Sequence, residues 1–132
     1  MRPMSEILSD ALASFDGGKR WIRVTLFPTL YRINSTDSEL FCQELQKADT
    51  FCAFGAVFKS MIAHKELDHN PFAVGDAYKD PRVSEVQRLL VGTGSVAAQN
   101  DRAGSFNVVE EMFCNGIKRA LAEEETDDET DV

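Results

Sequence analysis

Cys52 opens an apolar run, Cys52-Ala53-Phe54-Gly55-Ala56, ahead of residues with helical spacing. A thiol at a helix N-terminus is a candidate nucleophile, because the helix dipole stabilises the thiolate and lowers its pKa. Cysteine peptidases and acyl-transfer enzymes pair such a thiol with a histidine base. The chain has two histidines, His64 and His69. His64 comes twelve residues later, and on one helix a rise of about 1.5 Å per residue would set it ~18 Å away, beyond hydrogen-bond reach. His69 returns to the thiol only if its loop folds back along the helix. The stronger reading is packing: Cys52 fits a tight contact, and Gly55 admits a neighbouring helix.

Other polar groups form weaker constellations. His64, Glu66, Asp68 and His69 fall within six residues and carry ligands suited to zinc or manganese. No cysteine or third histidine completes a set, so this stretch reads as a solvated loop, with no metal or cofactor expected. Asn100-Asp101 precedes the last expected helix. Turn chemistry explains the pair, since both side chains bond their own backbone. The functional alternative is the floor of a ligand pocket formed with Trp21 and Cys52, although Trp21 is most simply a core anchor. Gly92-Thr93-Gly94-Ser95 lacks the lysine and the glycine spacing of a phosphate loop.

The elements that must position these residues are mostly helical. Ile7, Leu8, Ala11, Leu12 and Phe15 recur at helical spacing after Ser5, an expected N-cap, and Asp16-Gly17-Gly18 ends that helix. Trp21 to Leu30 fits strand or helix. Its β-branched and aromatic residues allow a short β-hairpin near residues 20–33. Thr36 and Glu39 fit a capping box opening a helix through about Lys47. Asp49 or Thr50 can cap the next helix, Phe51 to about His64, which is apolar nearly all round and therefore central. Lys65 to Asp80 reads as a long loop. Asp80-Pro81 pairs an N-cap with proline at the first helical position, and Val83, Val86, Leu89 and Leu90 follow up to Gly92. Ser95 caps one short turn, Val96 to Gln99, and residues 100–104 form a second loop. Ser105 can cap the last helix, with Phe106, Val109, Phe113, Ile117 and Ala120 on one face. The fold class is mainly α: a compact bundle of about five helices.

Composition narrows the function classes. With 132 residues there is room for one domain, expected over residues 1–122. The net charge of -8 is unevenly placed, because residues 123–132 hold seven acidic groups. The remainder carries 14 basic and 15 acidic residues and is almost neutral. The acidic run reads as a disordered tail. No basic stripe supports nucleic-acid binding, and no apolar run of about 20 residues suggests a membrane span. Nothing resembles a signal peptide, so the expected setting is the cytoplasm. Cys42, Cys52 and Cys114 are odd in number and lack a Cys-x-x-Cys pair. They read as buried thiols beside Phe41, Phe51 and Phe113.

Trp21 after a first helix, the Cys52-Ala53-Phe54-Gly55-Ala56 helix start, and Ser95-Val96-Ala97-Ala98-Gln99-Asn100-Asp101 before the last helix occur in one order. Together they resemble the bacterial and phage family catalogued as domain of unknown function 6197, over about residues 5–122. Gln99 departs from that pattern, where the family usually has an aromatic residue. Arg23, Val24 and Thr25 stand where it favours small ones. The resemblance implies a fold and a set of positions, but no activity. The leading functional expectation is a non-enzymatic protein–protein interaction module of phage-accessory or regulatory type. Its rivals are a thiol-dependent enzyme or ligand-binding domain centred on Cys52, and an inhibitor of a host defence complex.

Overall fold

The computed structural model describes residues 2–23, 38–66 and 80–130, and the side chains among them except those of 38–42 and 126–130. Six α-helices lie within these residues: α1 (Met4–Ser14), α2 (Ser38–Lys47), α3 (Ala53–Ala63), α4 (Pro81–Val91), α5 (Val96–Arg102) and α6 (Phe106–Thr130). A turn of 3-10 helix, Asp16–Gly18, follows α1. The mainly α expectation holds. The only β pairing among the described residues is an isolated parallel bridge between Trp21 and Phe51. The rest of the expected hairpin region, residues 24–33, lies outside the described residues, as does most of the long loop expected after Lys65.

Helix α3 is the centre of the bundle because its sequence leaves almost no polar face. Every residue from Ala53 to Phe58 is buried, as are Ser60 and Met61. Around it, α1 packs on both α3 and α6, and α4 packs on α6. Phe15, just past the end of α1, joins these layers. Its ring centroid lies 5.4 Å from that of Phe51, 5.2 Å from Phe106 and 5.9 Å from Phe113. Such tilted and edge contacts suit the quadrupoles of aromatic rings. Two glycines permit close approaches. At Gly18, with φ of +103°, an added Cβ would stand 2.8 Å from Phe106 Cγ. At Gly116 it would stand 2.6 Å from Leu90 Cδ2, which is where α6 crosses α4.

Several caps form as the sequence indicates. Asp80 accepts from the Arg82 N–H at 2.9 Å, with Pro81 beside it, and Ser95 accepts from the Ala98 N–H at 3.2 Å. Others differ. Pro3, not Ser5, is the N-cap of α1, and Ser5 is buried inside the first turn. The N-cap of α3 is Cys52, not Asp49 or Thr50: Phe51 is held in the bridge to Trp21, and Cys52 after it is still extended. Helix α5 runs to Arg102, so Asn100 and Asp101 are helical rather than part of a loop. Cys114 is exposed on α6, while its neighbour Phe113 is fully buried. Successive helical residues are rotated by about 100°, so an adjacent apolar residue does not bring a thiol inside. The acidic run expected as a tail begins on α6, and its first members Glu123 and Glu124 bond to other helices.

Candidate functional site

Asn100, on α5, has 0% exposure. Its position in a helix aims the amide at the start of α3. Its Oδ1 accepts from the indole Nε1–H of Trp21 at 2.8 Å and from the backbone N–H of Ala53 at 3.1 Å. Its Nδ2 donates to the Ile22 carbonyl at 3.1 Å and to Asp101 Oδ1 at 3.4 Å. An amide has two acceptor and two donor positions, and all four are occupied here. The bond to Ala53 also satisfies one of the N–H groups that every helix start leaves unpaired. Asn100 thereby ties α5, α3 and the Trp21–Ile22 segment together.

Trp21, Cys52, Asn100 and Asp101 are thus neighbours. The Trp21 indole is half-buried, with its centroid 6.1 Å from Phe106, and its N–H is held by Asn100. Cys52 occupies the helix start expected of it but is 7% exposed, and its side chain makes no capping hydrogen bond. Burial pushes its thiol up, against the opposing pull of the Gly55 and Phe54 N–H groups, and the negative charge of Asp101 pushes it further. A thiol held neutral in this way is a poor nucleophile at neutral pH. The dipole argument for Cys52 is correct in sign but is outweighed by desolvation.

His64 caps the far end of α3, the full length of the helix from Cys52. Its Nδ1 lies 3.0 Å from the Ser60 carbonyl oxygen. His69 and Asp68 lie outside the described residues. Glu66, which the sequence groups with these residues as a candidate metal ligand, is 2% exposed and faces Arg2. The Arg2 backbone N–H and Nε both donate to it at 3.0 Å. Arg2 also donates to the Ser60 hydroxyl at 2.8 Å, and that hydroxyl donates to Asp10. Arg82 closes the cluster by donating to the Arg2 carbonyl at 2.9 Å. Burial raises the Glu66 carboxyl, but the bonds and charge of Arg2, with the charge of Arg82, outweigh it and hold the group below its usual range. This cluster fastens the N-terminal segment to the end of α3 and the start of α4. Sequence reasoning missed it because Arg2 and Glu66 stand 64 positions apart and neither sits in a motif.

A surface cavity lies between α4, α5 and α6. It has a volume of about 320 Å³ and is lined by Leu90, Val91, Gln99, Val108, Val109, Glu111, Met112, Asn115 and Arg119. Its apolar floor comes from Leu90, Val109 and Met112, all buried, while Val108 on its rim is 45% exposed. Val108, Met112, Asn115 and Arg119 follow the i, i+4, i+7 rhythm of one helical stripe. The stripe was hard to see in the sequence, because its polar half looks like an ordinary solvated face. No group of three metal-ligating side chains occurs among the described residues, and no described helix is long and apolar enough to cross a membrane. Comparison with protein-family models, with curated proteins and with solved structures finds no match to this chain.

Proposed function

We propose that this chain is a non-enzymatic protein-interaction module of the cytoplasm. In this reading it grips a helical segment of another protein in the α4–α5–α6 groove. The observation that carries the reading is the contrast between its two candidate sites. At the Trp21–Cys52–Asn100 cluster every amide position of Asn100 is engaged within the fold and the thiol is buried. At the groove an apolar floor meets a polar rim and an exposed valine. That composition is what an amphipathic helix needs in order to bury its apolar stripe. Glu111 and Arg119 lie eight residues apart on α6, about 12 Å along the helix. They favour a partner helix with a basic residue at one end of its stripe and an acidic one at the other. Relationship to the phage and bacterial family that the Trp21, Cys52 and Asn100 segments resemble is part of the proposal.

A photo-crosslinking amino acid at position 108, with a second at Leu121 as an exposed apolar control, tests it in cells producing the chain. One discrete adduct at 108, absent at 121 and lost when Met112 is enlarged to Phe to fill the groove, is the expected result. Equal crosslinking at both positions, or none at 108, contradicts it.

A further inference from the structure

The distal part of α6 is fastened to the body by two adjacent glutamates that reach different helices. Ala120 is buried, and none of the next five residues is. Glu123 Oε1 and Oε2 accept from Arg88 of α4 at 2.8 and 2.7 Å. Arg88 also pairs with Glu85 one turn before it. Glu124 accepts from the Ser5 hydroxyl at 2.7 Å and from the Ser5 backbone N–H at 3.1 Å. The second pair of bonds has a specific role. The N-cap of α1, Pro3, makes no side-chain capping bond. The N–H groups of Glu6 and Ile7 find the Pro3 carbonyl, and the Ser5 N–H finds Glu124. Glu124 therefore caps α1 from another helix, and its negative charge lies at the positive end of the α1 dipole.

We propose that Glu123 and Glu124 form one latch, so that losing either contact frees the other and releases the end of α6 from Glu123 to Thr130. The coupling follows from position. Two neighbouring residues on one helix point about 100° apart, so both partners are reached only while that turn of α6 is intact. Fraying the turn to lose one bond moves the other carboxylate away from its partner. The acidic run of residues 123–132 carries seven side-chain carboxylates, and its first two members, Glu123 and Glu124, are the ones the latch engages. The latch is a conformational device independent of the groove.

Amide hydrogen exchange on the full chain tests it, using Arg88→Ala and Glu124→Ala. Arg88 belongs to α4 and makes its side-chain bonds to Glu85 and Glu123. Arg88→Ala should nevertheless speed exchange of the Ser5–Ile7 amides in α1 by about threefold or more. Glu124→Ala, which removes the bonds to both the hydroxyl and the backbone N–H of Ser5, should do the same at residues 121–123. Amides of Phe58 and Phe113 should keep their wild-type rates in both. Unchanged protection in the first turn of α1 in Arg88→Ala overturns the proposal, because the contacts are then independent. Equal acceleration at Phe58 and Phe113 overturns it as well, because the ends are then reporting global unfolding.

Discussion

Asn100 matters because a single amide satisfies groups from three segments. Replacing it with alanine leaves the Ala53 N–H, the Ile22 carbonyl and the Trp21 indole N–H without that partner. Each buried polar group stranded in this way costs about 1 kcal/mol or more. Asn100→Ala should therefore lose about 3 kcal/mol of stability, read as a lower urea midpoint, and should raise the solvent exposure of Trp21 in fluorescence. Asn100→Asp keeps the shape but replaces a donor with an acceptor facing the Ile22 carbonyl and Asp101. It should also destabilise, less at pH 4 than at pH 7, because the neutral acid regains a donor. A wild-type urea midpoint for both variants would show that the four bonds are incidental.

Turns and helix ends were the elements most legible in the sequence, and those most often misplaced by a few residues. Asp80-Pro81 and Ser95 carry their signal locally, in a side chain that bonds an N–H two or three residues on, so they form where expected. Asp80→Ala should cost about 1 kcal/mol in chemical denaturation. The start of α3 was misread because its N-cap is decided by a tertiary partner: Asn100 satisfies Ala53, so Cys52 needs no capping side chain. Asn100-Asp101 looked like turn residues for the same reason, since local propensity says nothing about a distant indole. Gly18 shows the opposite case, a local signal with a tertiary cause. A Cβ there would meet Phe106 near the root of its side chain, where the ring cannot swing clear. Gly18→Ala should lower stability by about 2 kcal/mol, combining the strain of a positive φ with that clash. An unchanged Tm would mean that the Phe15–Phe106 layer yields more easily than its geometry implies.

Across the whole molecule, stability depends on pH through Glu66. Its folded pKa lies below the ordinary value of 4.5, despite burial, because of Arg2 and Arg82. A carboxylate with a depressed folded pKa contributes stability above its unfolded pKa, and loses it as pH falls through the folded one. Wild type should thus be more stable than Glu66→Gln at pH 7, with the gap closing as pH falls below about 4. A gap that stays constant with pH would assign the contribution of Glu66 to shape rather than charge.

In the proposed reading Cys52 and Asn100 hold the fold together and perform no chemistry. The most direct measurement is iodoacetamide labelling of the native chain, followed site by site by mass spectrometry. Cys114, exposed on α6, should be modified first, and Cys52 only as slowly as the protein opens. Labelling of Cys52 ahead of Cys114 in the folded state would contradict the account and return the chain to the thiol enzymes.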